Sequence, residues 1–510
     1  MWPRLSLADA RAIAHYLGVL AQLLGACMAL PLATAVCFAE WGAASRYMLA
    51  CGLCVTVGAL LRLTHTGQPR LTRPQAVAVT GLAWVLLSLL AAVPLWLSGH
   101  FGDYLDALFE SVSGLTTTGI SIAQDLGHLS NADNMWRFST QLIGGLGFIV
   151  VALSLGLFGR RIESGLYSSE AHTERIVPNV VETARFTARV ALAIVGAATV
   201  ALALLCAACG IEPVRAALHG LWLAVAAFAT GGFSPMPDSV GYYRSFPLEL
   251  VLMMVMLLGS LNFALFLAAW RGRTDQAARD HELRTALVWV CAMTALFTAA
   301  ACGGEHHLSD LPILLRQGLF TIVSTLSTSG FQTLSTTQLM NVLPSGALLV
   351  LVLLMAVGGC AGSTAGGIKL HRLGIVVRSL LLTFREALSP ASARITADFE
   401  HFGRRRLDPA AVKEAMTVFV LFTVVCGFGA LMGVAHGLDG LSAIVDSVVM
   451  TCNGGVSSGA IVPDMPVTLE ATYILQMLAG RLEFVTFAAI VIQVVVTAVP
   501  PSLTRRLGRR

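Results

Sequence analysis

Charge is scarce in this sequence. Asp, Glu, Lys and Arg together supply 12% of its 510 residues, about half the share of an ordinary soluble domain. That scarcity excludes a chain whose whole surface faces water. It leaves no basic surface domain either, so nucleic acid is not an expected partner despite the formal net charge of +4. Polar intervals long enough to fold alone are also missing: the longest, near residues 160–183 and 386–412, are too short to bury a core. Any regulatory domain is therefore expected on another chain. The opening MWPRLSLADARAIAHYLGVLAQL lacks a small-residue cleavage site behind a short apolar core, and an uncleaved first helix is expected. No strand is expected to present a Gly-x-Ser-x-Gly elbow, and no nucleophile, acid and base stand together, so the chain reads as no enzyme. Most of the twelve histidines lack a companion at metal-ligand spacing. The cysteine pairs Cys51/Cys54 and Cys206/Cys209 sit inside apolar runs, where they read as small buried residues rather than zinc ligands.

What the chain has in abundance is hydrophobic side chains, 56% of the total. Apolar stretches of roughly 18 residues or more can cross about 30 Å of hydrocarbon as helices. They are expected near 12–38, 46–64, 75–98, 136–159, 184–209, 246–270, 285–302, 340–382, 411–434 and 468–500, the eighth and tenth being over-long or interrupted. The expected fold is thus an all-α polytopic membrane protein of about ten transmembrane helices. Arg70 with Arg73, Arg160 with Arg161, Arg271 with Arg273, Arg404 to Arg406, and Arg505, Arg506, Arg509 and Arg510 fall on one side. The positive-inside rule makes that side, and both termini, cytoplasmic. Loops on the other side carry isolated cations such as Arg46, Arg215 and Arg316 and acids such as Asp103, Asp238, Glu305 and Asp439. These outer loops also hold apolar stretches of about a dozen residues, too short to span. They read as re-entrant half-helices, tolerated at membrane depth only where protein or a watery pathway surrounds them.

Four such stretches align without gaps. ALFESVSGLTTTGIS carries Phe109 and Gly119; HGLWLAVAAFATGGFS carries Trp222 and Gly232; QGLFTIVSTLSTSGFQ carries Phe320 and Gly330; SAIVDSVVMTCNGGVS carries Val445 and Gly455. The glycines follow one another at 113, 98 and 125 residues (232−119, 330−232, 455−330), room each time for a half-helix, an outgoing span and a returning span. The chain therefore divides into two extra N-terminal helices over 1–74 and four pore repeats over 75–159, 184–270, 285–385 and 411–500. A loop of the type Thr-Thr-Gly after a half-helix suits a cation: glycine turns carbonyls inward, hydroxyls add oxygens, and the helix C-terminus is partially negative. Glu110 and Asp446 share one position in repeats one and four, and are expected either to attract cations at the outer vestibule or to bond to backbone. His219 stands where repeat one has Asp106, as a polar anchor.

Further motifs, WRFSTQLIGGLGFIV (Trp136 to Val150), GGCAGSTAGGIKLHR (Gly358 to Arg372) and AGRLEFVTF (Ala479 to Phe487), make the chain similar over nearly its whole length to the Trk/Ktr/HKT superfamily of potassium transporters. The two helices ahead of repeat one favour its TrkH/TrkG branch. The resemblance implies a potassium filter at Thr117-Thr118-Gly119, Thr230-Gly231-Gly232, Thr328-Ser329-Gly330 and Asn453-Gly454-Gly455. It also implies one pore per subunit, a homodimer in the lipid of the bacterial inner membrane, and a cytoplasmic TrkA-type ring that binds nucleotide, with no cofactor on this chain. Plant relatives with serine at the first filter glycine transport sodium; glycine at all four places here favours potassium. Val456 departs from the family's usual proline and loosens the case against sodium, so a sodium-permeable or weakly selective channel is the alternative, and a non-conducting scaffold or receptor the alternative of another class.

Beneath the filter, the glycines Gly358, Gly359, Gly362, Gly366 and Gly367, with Ser363 and Thr364, should break a helix, since each glycine costs about 1 kcal/mol relative to alanine. A broken segment there is a natural gate, and the resemblance implies the same intramembrane loop near 358–369. Lys369 sits at the inner mouth or pairs with an acid. Arg481 and Glu483 interrupt the last span at a cost of roughly 2.5–3.5 kcal/mol each. They should face the bundle interior, either paired with each other or with Arg481 set under the filter as an electrostatic barrier.

Overall fold

The computed structural model describes residues 5–64, 71–157, 180–273, 279–302, 311–334, 339–340, 343–390, 398–401 and 404–498. Arg70, Arg160, Arg161, Arg505, Arg506, Arg509 and Arg510 of the basic pattern, and Glu305 of the acidic one, lie outside the described residues. Six helices among these residues are long and apolar enough to cross a membrane, and two bent pairs raise the number to eight. Short apolar helices, too short to span, follow the outgoing spans of the repeats as the sequence requires: Tyr104–Leu115, Pro213–Phe228, Leu311–Leu326 and Gly440–Cys452.

The structure departs from the expected elements in two places. The span 246–270 is not continuous: Phe246–Ser260 and Phe263–Trp270 meet at a 94° bend. Asn262 makes the break, its side-chain oxygen accepting the Ala264 amide at 2.8 Å and so capping the second helix. Two interruptions fall where the sequence puts them: the long stretch 340–382 divides into Ser345–Val357 and Leu370–Ala387 at the glycine cluster, and the last span divides into Val467–Arg481 and Phe484–Ala498. The expectation of no strands fails at one place: β1 (Asp398–Glu400) and β2 (Arg404–Arg406) pair antiparallel, with Phe399 opposite Arg405. The arginine run thus forms the second strand of a hairpin.

The chain forms two compact units, 1–115 with 122–188 and 482–510, and 116–121 with 189–481. In the first, Leu7–Cys27 packs against Trp41–Arg62 through glycines: a Cβ on Gly18 would lie 2.5 Å from the Gly58 carbonyl oxygen, and one on Gly58 2.6 Å from that of Gly18. Small residues let membrane helices approach this closely. Cys51 and Cys54 lie on the same seam, free, with the Cys51 thiol 3.3 Å from the Gly25 carbonyl. Glu40 caps the helix Asn131–Leu157 by accepting the Asn131 and Ala132 amides at 2.9 and 3.1 Å, an acid where the helix dipole favours one. Asp133 takes Arg46 at 2.8 Å and the Tyr47 hydroxyl at 2.9 Å. The N-terminal pair of helices is therefore bolted to repeat one by polar contacts, of which that of Tyr47 with Asp133 is buried. Large apolar side chains such as Leu192, Leu204, Val288 and Leu431 point outward, as a lipid-facing surface requires.

Candidate functional site

The second unit gathers all four glycine loops, including residues 116–121 of repeat one. Each loop leaves its half-helix through a residue at the same place with a left-handed backbone: Thr117 (φ 60°), Thr230 (50°), Thr328 (54°) and Asn453 (55°). β-Branched residues avoid this region and asparagine tolerates it best. Two residues later Gly119, Gly232 and Gly330 also have positive φ, at 80°, 71° and 80°. The pattern ends there in the fourth loop, for Gly455 does not share it.

The loops close on one another as a ring. A Cβ on Gly119 would lie 1.8 Å from the Gly231 carbonyl oxygen, and one on Gly232 1.8 Å from that of Ser329. One on Gly330 would lie 2.0 Å from the Gly455 Cα, and one on Gly455 3.1 Å from the Thr118 carbonyl oxygen. Backbone meets backbone at every step, so only glycine fits. Loops one and three carry matching hydroxyl pairs, Thr116 with Thr118 at 2.8 Å and Ser327 with Ser329 at 2.9 Å. Loops two and four have Ala229 with Gly231 and Cys452 with Gly454 in those places. Asn453 closes the ring by donating to the Thr118 hydroxyl at 3.1 Å and to the Met477 carbonyl at 2.8 Å.

Two acids in the half-helices pin the loops as they leave the ring. Glu110 accepts the Ile122 amide at 3.1 Å and pairs with Arg137 at 2.7 Å, both side chains buried. Asp446 accepts the Ser458 amide and hydroxyl at 2.8 and 2.6 Å. Of the two roles expected for these residues, bonding to backbone is the one the geometry displays. Repeats two and three have Leu223 and Thr321 there and tie their loops to each other instead, the Val240 amide donating to the Gln332 carbonyl at 3.0 Å. His219 meets the Tyr243 hydroxyl at 2.9 Å, a polar anchor as expected.

The loop from Gly358 to Lys369 is fastened directly to the ring. The Thr364 hydroxyl lies 3.1 Å from that of Thr230, and the Gly366 amide donates to the Thr328 hydroxyl at 2.8 Å. A Cβ on Gly366 would come 1.8 Å from the Cys452 carbonyl oxygen. On its other flank the loop holds the broken span: the Cys360 and Thr364 amides donate to the Ser260 and Gly259 carbonyls at 3.0 and 3.2 Å. Glu282 accepts the Ala361 amide at 2.5 Å. Ser363 turns back onto the Cys360 carbonyl at 2.6 Å, and Gly362 lies beside Asn262. Gly359 packs against Ala365 and Ser260, and Gly358 and Gly367 have φ of 70° and 80° where the chain enters and leaves the loop. Lys369, also left-handed, donates its ammonium to the Ala365 carbonyl. Arg481 donates to the Thr364 carbonyl at 3.2 Å. All the residues named from the sequence as filter or gate therefore fall in this unit.

Sequence reasoning missed three contributors. Arg137 stood in plain view in WRFSTQ, but nothing in one sequence pairs it with Glu110. Asn262 breaks a span whose apolar run looks continuous. Glu282, which holds the Ala361 amide, becomes visible only when distant segments meet.

A family model described as TrkH, cation transport protein, matches residues 44–495. An uncharacterized cation transporter of Methanocaldococcus jannaschii is 28% identical over 94% of this chain and 95% of its own length. The Trk system potassium uptake protein TrkH of Halomonas elongata is 28% identical over 93% and 97%, and TrkG of Escherichia coli 27% over 93% and 96%. Among solved structures, the crystal structure of the potassium transporter TrkH from Vibrio parahaemolyticus superposes with a TM-score of 0.79 at 24% identity, over 96% of this chain and 98% of that one.

Proposed function

Because this chain belongs to the TrkH family of cation transport proteins, we propose that it takes up potassium through a pore whose selectivity filter is the ring of four glycine loops. The single observation that carries this reading is the ring itself: four loops with a shared backbone turn, meeting carbonyl to glycine around one path. Such a path replaces an ion's hydration oxygens with fixed carbonyl dipoles. The half-helices point their partially negative ends at it, which favours a cation. The loop at 358–369 is the gate: with Thr364 and Gly366 bonded to filter hydroxyls, it lies across the conduction path and must leave for ions to pass. Arg481, held on the Thr364 carbonyl, adds a positive charge to that barrier. By family likeness the chain works as a homodimer in the bacterial inner membrane, both termini cytoplasmic, with a TrkA-type nucleotide-binding ring acting on the gate.

One observation favours a second reading, a weakly selective monovalent cation channel. The fourth loop lacks the positive φ at Gly455 and carries Val456 where a proline would fix the exit. A less regular quarter of the ring discriminates less sharply by size. Potassium and sodium uptake in cells without potassium transporters of their own, with wild type beside Gly119→Ser, separates the readings. Rescue at low potassium that the serine variant loses supports the potassium filter; equal uptake of both ions by wild type supports the weakly selective channel; no uptake with or without a TrkA-type subunit refutes both.

A further inference from the structure

Away from the filter, three chain segments bring an unusual set of side chains together. Asp280 and Glu282 lie at the start of the helix His281–Cys302, and the hairpin β1–β2 delivers His401 from its turn. All three are 1% exposed. One oxygen from each carboxylate and one imidazole nitrogen lie within 4.8 Å of one another. His401 donates from Nδ1 to Asp280 at 2.8 Å, and the other Asp280 oxygen accepts the Glu282 amide at 2.8 Å. Two further imidazoles crowd the cluster. The His371 ring stacks on His401 with centroids 4.5 Å apart, and the His281 ring stands 5.8 Å from it. His281 is itself 1% exposed, and its Nε2, like Nδ1 of His371, has no hydrogen-bond partner.

Two buried carboxylates need positive charge close by, or they resist ionising. The Arg378 guanidinium contacts Nδ1 of His281 and lies over the Phe399 ring. An aspartate, a glutamate and an imidazole converging at this spacing form a nitrogen and oxygen donor set suited to a divalent first-row ion. Magnesium and calcium, which take oxygen ligands, fit the histidine poorly.

We propose that Asp280, Glu282 and His401 bind a divalent transition-metal ion of the zinc class, tying the 398–406 hairpin to the foot of the helix His281–Cys302. Glu282 is also the acceptor of the Ala361 amide, so the same carboxylate joins the metal to the gating loop. The ion thereby favours one position of that loop. This last consequence rests on the transport reading above; the existence of the site does not.

The test uses the full chain in detergent micelles, freed of metal by chelation and titrated with Co²⁺ followed by absorption, and with Zn²⁺ followed by calorimetry. Wild type is expected to take one equivalent, with His401→Ala and Glu282→Gln each weakening binding about 100-fold. His401→Cys keeps a ligand: it should restore one-equivalent binding and add a sulfur-to-cobalt charge-transfer band that a merely structural histidine would never produce. Size-exclusion profiles of each variant report that the fold is intact. Absence of stoichiometric binding by wild type, or binding unchanged in all three variants because the ion sits at other histidines or cysteines, overturns the site. Potassium uptake is recorded in parallel, so that binding without uptake removes the transport reading and leaves the site standing.

Discussion

Thr117, Thr230 and Thr328 hold a backbone conformation that costs of order 1–3 kcal/mol for residues of their kind. Their hydroxyls account for keeping threonine there. Thr328 accepts the Gly366 amide at 2.8 Å, so on the proposed reading the residue that shapes the filter also seats the gate. Thr328→Val keeps the branched shape and removes the acceptor, leaving a buried amide unpaired at about 1–3 kcal/mol. Basal potassium flux without any activating partner should rise at least several-fold, measured in proteoliposomes with rubidium as tracer; an unchanged flux would sever filter from gate. At the other end of repeat one, Arg137 and Glu110 are both buried. Arg137→Met strands the carboxylate, and the melting transition should fall by the equivalent of about 3–5 kcal/mol. Adding Glu110→Gln should return part of that loss, a recovery that a simple packing defect would not show.

Among the elements, the loop 358–369 packs without slack where it meets the ring. A single methyl on Gly366 meets the Cys452 carbonyl oxygen at 1.8 Å. Gly366→Ala is therefore expected to unseat the loop and give constitutive flux, with the protein otherwise folded by its melting curve. Reduced flux with a normal melt would mean that the loop opens the path rather than closing it. This element was legible in advance because five glycines in ten residues cannot sustain a helix, whatever they pack against (358 to 367). The break at Asn262 was not legible. One polar residue in a long apolar run reads as a tolerated interruption until the Gly362 carbonyl, a hundred residues away, is seen to lie 3.4 Å from the Phe263 amide. The hairpin at 398–406 hid for a related reason: its strands are three residues each, and β2 is made of arginines, which no strand pattern favours. The four glycine loops were visible from a fourfold recurrence that needs no partner to be recognised. The cluster at Asp280 escaped because its histidine lies 121 residues away in another element.

For the molecule as a whole, a bound ion in the ring should stabilise the folded state by mass action, about 2.7 kcal/mol when its concentration is 100 times the dissociation constant. Potassium should then raise the melting temperature in detergent, while N-methylglucamine should not. Sodium separates the two readings of selectivity: no shift fits a potassium filter, and a shift equal to that of potassium fits the weakly selective one. The ring also has less than its nominal symmetry, for hydroxyl pairs occupy opposite quarters and Asn453 stands alone in one. A channel assembled from four copies of one short chain changes all four quarters with every altered codon. Here each quarter has its own codons, so drift can retune one side of the ring while three stay fixed, and Val456 is such a local edit. Ion preference in this lineage can therefore wander in quarter steps, each exposed to selection before the next is taken.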